Sequence, residues 1–544
     1  MKKKLISVFI ASFLAFGFYG QGPIIEWQKC LGGVYGDTVQ INDTTVYYSS
    51  GEDLIQKIRK TNDGGYIVVG TTGSNNTDVS GNHGLMDIWV VKLNSSGVIQ
   101  WQKCYGGSYN EYGSDIQPTS DGGFIVCGWT NSNDGDVVGF HGFPSWDNFP
   151  YNDYFILKLS NTGSIQWKKC LGGNRDEKAY AVKQTVDGGY IVVGETNSNN
   201  NGDVTGFNPN NASFQADAWV VKLSSSGNID WKKCFGDSED DSFNSVEILN
   251  DGSFYFSGTT ASYQASGNHG GYDFWVVKTD GFGNALWQNL YGGSASDYCN
   301  SLKVTPDQGF VFTGETYSYN GDVFGSNNID NNDSDVWVIR ADNLGNILWQ
   351  NALGGTISEG GNDVVLTMDG GYAVTGYTNS FNGDVSYNYG YKDFWIVKLN
   401  GAGSNMWEKC YGGIANDICN SIIETNDGGF VLAGSIESND FNSTISGSHG
   451  NGDGWVVKLG YYNGLLENNQ TSFSVYPNPT SNNITIQGKE GMNQNFKIFD
   501  QMGREVISGK LNGITTEVNL STLSKGMYTF KIEGNYKPEQ IVKE

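Results

Sequence analysis

Short apolar runs, each about the length of a strand, recur along most of this chain; Tyr190-Ile191-Val192-Val193 and Trp275-Val276-Val277 are typical. They are too short for helices and lack the alternation of a sheet with one wet face, so both faces should be buried. Asp-Gly pairs stand between them, and glycine there supplies the positive φ that a tight two-stranded turn needs. From Ile116 to Trp167 four strands can be read. Strand A runs through Ile116 to the Asp121-Gly122-Gly123 turn, and strand B is Phe124-Ile125-Val126-Cys127-Gly128. A long polar loop leads to strand C, Tyr154 to Leu159, and a short Asn161-Thr162-Gly163 turn leads to strand D, with Ile165 and Trp167.

That unit repeats. A tryptophan opening W-x-x-x-x-G falls at Trp27, Trp101, Trp167, Trp231, Trp287, Trp349 and Trp407. The turn aspartate recurs at Asp63, Asp121, Asp187, Asp251, Asp307, Asp369 and Asp427, and a D-x-[WF] opener of strand C recurs at Asp87, Asp153, Asp217, Asp273, Asp335, Asp393 and Asp453. Four strands every ~60 residues, with both sheet faces needing cover, predict an all-β chain folded as a seven-bladed β-propeller. The last unit lacks a strand D, and the Trp27 segment lacks A, B and C. Residues around Ile25–Leu31 are therefore expected to be the outer strand of the last blade, which closes the ring and covers exposed strand edges. The string G-G-x-x-x-[DE], T-x-D-G-G-Y-I-V-x-G-x-T, D-x-W-V-V-K-L resembles the bacterial β-propeller-repeat families over roughly residues 22–460. That resemblance implies fold and says little of activity, because propellers host many.

The ends of the chain differ from the repeat. Lys2, Lys3 and Lys4 precede an apolar stretch from Leu5 to Phe18 that is too short to span a bilayer comfortably, so residues 1–20 read as a signal peptide. The propeller is expected over 21–462, a polar linker over 463–471, and a small C-terminal β-sandwich over 472–544 with strands at Ile484, Phe496 and Met527. This tail, with Tyr476-Pro477-Asn478-Pro479, Asp500 with Gly503, Gly526-Met527-Tyr528 and a basic end at Lys543, resembles the C-terminal sorting domain of type IX secretion system (Por secretion) cargo in Bacteroidetes-type bacteria. The resemblance implies passage through the periplasm to the outer cell surface or beyond, with the type IX machinery and a sortase-like protease as partners.

Composition narrows the partners. The formal charge of −25 repels nucleic acid and anionic membrane, and no later apolar run suggests a transmembrane segment. Glycine at 76 residues suits many tight turns, and 38% hydrophobic content can fill cores. Many of the acids are architectural, since a carboxylate recurs at three positions of every unit. The third set is read as Asp37, Glu111, Glu177, Asp241, Asp297, Glu359 and Asp417. Five of the eight cysteines follow Trp-x-Lys in a slot that Leu290 and Ala352 fill elsewhere, so free buried thiols are expected.

Variation concentrates on one rim, that of the B–C loops and the D-to-A links. The B–C connection runs from Thr130 to Asp153 in the second unit but only from Thr260 to Asp273 in the fourth, and the first D-to-A link carries an insertion expected to form a hairpin around Asn42-Asp43. Function gathers on variable loops held by a rigid frame. The candidate ligand-binding residues are His141, Phe143, Trp146, Phe149 and Tyr151, whose rings would stack on a sugar or anchor a protein, or else pack on one another. No cofactor is called for. Oxygen-rich loops such as Asn320-Gly321-Asp322 and Asn382-Gly383-Asp384 suit calcium, with Asp136, Asp322 and Asp384 as candidate ligands, although their spacing reads first as a turn. The four histidines, His83, His141, His269 and His449, share one repeat position and read as a loop hydrogen bond. A secreted or surface propeller binding a glycan or protein fits best. An extracellular polysaccharide hydrolase or lyase and a structural adhesin are the alternatives, and no catalytic constellation stands out.

Overall fold

The structure is a computed structural model that describes residues 22–34, 38–41, 44–47, 52–142, 150–207, 215–262, 267–327, 332–438, 443–450, 452–460, 474–477, 479–487, 495–500, 504–511, 515–532 and 539–544. The expected leader and linker lie outside the described residues. Two compact units divide the chain, Met1–Tyr462 and Asn463–Glu544.

In the first unit each repeat is a four-stranded antiparallel sheet whose strands pair in the order A-B-C-D. In the second blade these are Glu111–Pro118, Phe124–Thr130, Asp153–Leu159 and Ile165–Leu171. Strand C is buried at every position there and strand B at all but Trp129, because a neighbouring blade covers each face. The seventh sheet takes Asp417–Glu424, Phe430–Ile436 and Asp453–Leu459 from its own repeat and Ile25–Leu31 as its outer strand, with Cys30 opposite Trp455.

Packing closes the ring. One apolar cluster fills each of the seven gaps between neighbouring sheets. The cluster between the last blade and the first joins Val431, Ala433 and Val456 to Ile58, Val68 and Val91. The repeated tryptophan adds an aromatic pair at each gap, its ring meeting the first residue of the next blade's strand B. Trp101 meets Phe124 at 6.1 Å, Trp349 meets Tyr372 at 5.5 Å, and Trp27 meets Tyr66 at 6.0 Å across the seam where the two ends of the chain join.

The A strands are innermost and touch one another around the axis, so they line the central channel. Each carries a bulge between its third and fifth residues, as between Gly113 and Asp115. The bulge pushes a strand A carbonyl toward strand B, where the fifth residue is always glycine. A Cβ on Gly128 would sit 1.8 Å from the Tyr112 carbonyl oxygen, so only glycine fits there. The inserted first link forms the expected hairpin, Thr38–Ile41 paired with Thr44–Tyr47.

The second unit packs a three-stranded sheet, Ser474–Tyr476, Asn483–Gln487 and Thr515–Asn519, and a four-stranded sheet of Glu505–Lys510, Asn495–Phe499, Gly526–Ile532 and Glu539–Lys543. Ile484, Phe496, Ile498 and Phe530 are among its core residues. Among the described residues there is no helix, and none long and apolar enough to cross a membrane.

Candidate functional site

The repeated carboxylates serve the scaffold. Asp63 accepts hydrogen bonds from the Thr61 hydroxyl and the Gly65 N–H, and pairs with the buried Lys92 ammonium at 2.9 Å. These partners hold its carboxyl at about 2, below the ordinary carboxylate range. The acid opening strand A ties that strand to the end of strand B: Glu111 accepts from the Thr130 hydroxyl at 2.5 Å and the Gly107 N–H at 2.7 Å. Burial pushes Glu111 up to about 7 and Glu177 to about 8. In the first blade this place belongs to Asp53, which accepts from Gly33 N–H and the Thr72 hydroxyl. Asp37, expected there from its distance to the glycine pair, lies outside the described residues; the inserted hairpin displaces the equivalent acid along the chain.

The aspartate opening strand C fastens the B–C loop. His83, His141, His269 and His449 each donate their backbone N–H to it, to Asp87, Asp153, Asp273 and Asp453 respectively. In three of them Nδ1 also reaches the same carboxylate, at 2.6 Å in His83 and 3.0 Å in His141 and His269. That contact raises the His83 and His141 pKa. Their far nitrogen faces the next blade, where His141 Nε2 lies 3.8 Å from Asp203 and His269 Nε2 3.8 Å from Asp322.

Asp136, Asp322 and Asp384 sit in separate blades and dock their loops through backbone N–H bonds to the carbonyls of Gly106, Gly292 and Gly354. Among the described residues no three His, Cys, Asp or Glu side chains converge as metal ligands would. All eight cysteines are free and only Cys234 is more than slightly exposed. Of the aromatic loop, Phe143, Trp146 and Phe149 lie outside the described residues. His141 is committed to Asp153, and the neighbouring Phe140 packs on the apolar cluster of the first two blades. Tyr151 is half-buried beside them.

The channel offers more. Toward the A–B turns it is filled by opposed charges: Arg59 on Asp115 at 2.8 Å, Lys57 on Asp363 at 3.7 Å, and Lys303 within 3.8 Å of both Glu247 and Asp363. Nearer the B–C rim, asparagines brace four neighbouring A strands. Asn244, Asn300, Asn362 and Asn420 each donate to a carbonyl of the next blade, on Cys299, Gly361, Cys419 and Ile55. The first three blades have Gln56, Ser114 and Tyr180 at this place, so the brace is interrupted there.

At the mouth on the B–C rim lies a cavity of roughly 690 Å³ spanning the third to fifth blades. Tyr180, Tyr272 and Tyr298 line it together with Glu195, Asp240 and Glu315. Tyr298 leans on Tyr272 at 5.2 Å and meets Tyr317 edge-on at 6.3 Å. Tyrosine hydroxyls serve the acids: Tyr272 donates to Asp240 at 3.1 Å and Tyr377 to Glu315 at 3.3 Å. Lys178 stands 3.5 Å from Glu195, and burial raises both Glu195 and Glu315. A smaller hollow adjoins at Tyr180, walled by Tyr112 stacked on Trp129 at 5.3 Å. Sequence reasoning missed Tyr180, Tyr298, Glu195 and Glu315 because they sit in strands, at the second and fourth places of A and the sixth of B, and Asp240 and Tyr272 because each stands one residue ahead of a strand. The available signal was loss of consensus: the sixth place of B reads Thr71, Trp129, Glu195, Thr259, Glu315, Tyr377 and Ser435, while the place before it is always glycine and the place after it is threonine in all but the last blade.

In the tail, Lys543 is buried and its ammonium donates to the carbonyls of Leu520 and Leu523, each at 2.6 Å. Tyr528 donates to Ser524 O at 2.8 Å, while Tyr476 and Pro479 are exposed, with the Tyr476 hydroxyl 3.2 Å from Gln487 Oε1. Gly526 opens the strand that carries Tyr528. Asn478 and Gly503 lie outside the described residues.

One curated relative, the regulatory protein FlaEY of Caulobacter vibrioides, is 25% identical over 186 residues; the match covers 33% of this chain and 19% of FlaEY. Among solved structures, the Pan2 WD40 domain of Neurospora crassa has a TM-score of 0.41 at 11% identity, covering 75% of this chain and 89% of that one. PorZ, a surface component of the type IX secretion system of Porphyromonas gingivalis, has a TM-score of 0.32 at 10% identity, covering 96% and 86%. Residues 474–544 match the family described as the secretion system C-terminal sorting domain. The C-terminal unit of this β-propeller protein is thus a type IX secretion sorting domain, which sends the chain to the cell surface or outside.

Proposed function

We propose that this protein is an exported propeller that binds a glycan at the channel mouth on its variable rim. The observation that carries the reading is the cavity itself: tyrosine faces and carboxylates share one open concavity on an otherwise rigid ring. Aromatic faces stack on the apolar side of a sugar ring, and carboxylates accept its hydroxyls. The B–C loops of the third and fourth blades supply Asn197, Ala216 and Tyr272 to its wall, so loop variation would tune the ligand. His141 and Tyr151, and with them the loop residues Phe143, Trp146 and Phe149, are proposed as an extension of the same binding surface. Calcium at Asp136, Asp322 or Asp384 is not needed by this reading.

The test is binding of soluble oligosaccharides by the wild-type chain and by Tyr298→Ala. Loss of about tenfold or more in affinity with an unchanged melting temperature supports the site, and unchanged binding rejects it. A hydrolase reading has one observation in its favour, the two burial-raised carboxyls of Glu195 and Glu315 in one cavity. Turnover abolished by Glu315→Gln would establish it. Sorting through the tail would engage the type IX machinery and a sortase-like protease, and export lost on deleting residues 472–544 tests that step.

A further inference from the structure

We infer that the channel-mouth cavity selects a sugar bearing a free amine, a hexosamine unit with an unacetylated ammonium group. The inference rests on the glycan reading above and narrows it. Four carboxylates, Glu195, Asp240, Asp241 and Glu315, line the cavity, and no lysine or arginine does. Two cations stand outside the lining: Lys178 pairs with Glu195, and Lys392 sits over the Tyr377 ring at 3.9 Å. Asp240 and Glu315 accept from neutral phenols, Tyr272 and Tyr377, which orient the carboxylates without cancelling their charge, and the Lys392 ammonium lies near enough to Glu315 to favour its ionised form. A wall of tyrosines beside such acids suits an ammonium twice over, through ring quadrupoles and through charge-assisted hydrogen bonds. The −25 charge of the chain adds an attractive field for a cation and opposes acidic glycans.

Ring size and hydroxyl recognition separate this ligand from a lysine side chain. Asn197 and Ser242 line the same cavity and offer neutral polar groups that hydroxyls use and an alkyl stem does not.

The experiment measures affinity of the full chain at about pH 6, where a sugar amine is protonated, for a glucosamine tetramer, its fully N-acetylated counterpart and tetralysine. The expected result is about tenfold or more tighter binding of the free amine form than of the acetylated form, with the preference falling as salt rises. Asp240→Asn and Glu315→Gln should erase most of the preference between the two tetramers, and a thermal melt of each variant confirms folding. Equal affinity for the two tetramers overturns the amine inference and leaves glycan binding standing. Binding of neither tetramer overturns both readings. Tighter binding of tetralysine than of the glucosamine tetramer makes the site one for basic peptide and overturns the inference.

Discussion

At the residue scale, acids that look like a catalytic or metal-binding excess turn out to be fasteners. The sequence made that legible through recurrence, because a side chain present in every blade serves what every blade needs. It did not expose the mouth residues. Tyr180, Tyr298, Glu195 and Glu315 replace consensus residues inside strands, and nothing in the linear order shows that strand A lines the channel or that three blades pool their substitutions in one hollow. The strand B glycine gives a sharp prediction. A Cβ at Gly314 would meet the Tyr298 carbonyl oxygen at 1.8 Å, and backbone cannot yield as a flexible side chain does. Gly314→Ala should therefore cost about 3 kcal/mol or more of stability, read by denaturant titration, whereas Gly370→Ala meets nothing within 4 Å and should cost only the strain of its positive φ, about 1 kcal/mol.

At the scale of elements, strand order was legible because turn chemistry fixes it: Asp-Gly between A and B, a short glycine turn between C and D. Closure was legible from two incomplete units that complete each other. Asp37 misled because spacing from the glycine pair was read across an insertion, and the hairpin moved the acid to Asp53. The seam is no weaker in kind than the other gaps, since Trp27 meets Tyr66 as Trp101 meets Phe124. A double-mutant cycle on Trp27→Ala and Tyr66→Ala should return a coupling of about 1 kcal/mol, as should Trp101 with Phe124. A coupling near zero at the seam alone would mean that the ends are not joined in solution.

For the whole molecule, protonation sets an acid-leaning stability. Glu111, Glu177 and Glu359 are raised from 4.5 to about 7, 8 and 7 by burial. The folded form therefore holds protons that the unfolded form has released, and this contribution is complete below about pH 4.5 and lost as pH rises through 7 to 8. His83 and His141, raised by their aspartates, act in the same direction above their ordinary 6.5. The turn aspartates oppose this at the other end. Asp63, Asp121, Asp187 and Asp427 lie near 2, so their contribution is full above about 3.8 and fades as pH falls toward 2. The melting temperature should peak between about pH 4 and 6 and fall toward pH 9, and Glu177→Gln should flatten the alkaline limb. A melting temperature that climbs steadily to pH 9 would contradict the burial of these carboxyls.

The pairing of Ile25 with Leu459 also has a consequence in time. The segment that finishes the last sheet is among the first parts of the propeller to leave the ribosome, and its partner strand is the last. Until that partner arrives, Trp27 and its neighbours have no sheet to join, and the partial ring keeps two raw edges. A chain interrupted anywhere before Leu459 can stack blades but cannot shut, so the circle acts as a check on completeness: only a full-length propeller presents a surface without loose strands to proteases and to its own kind.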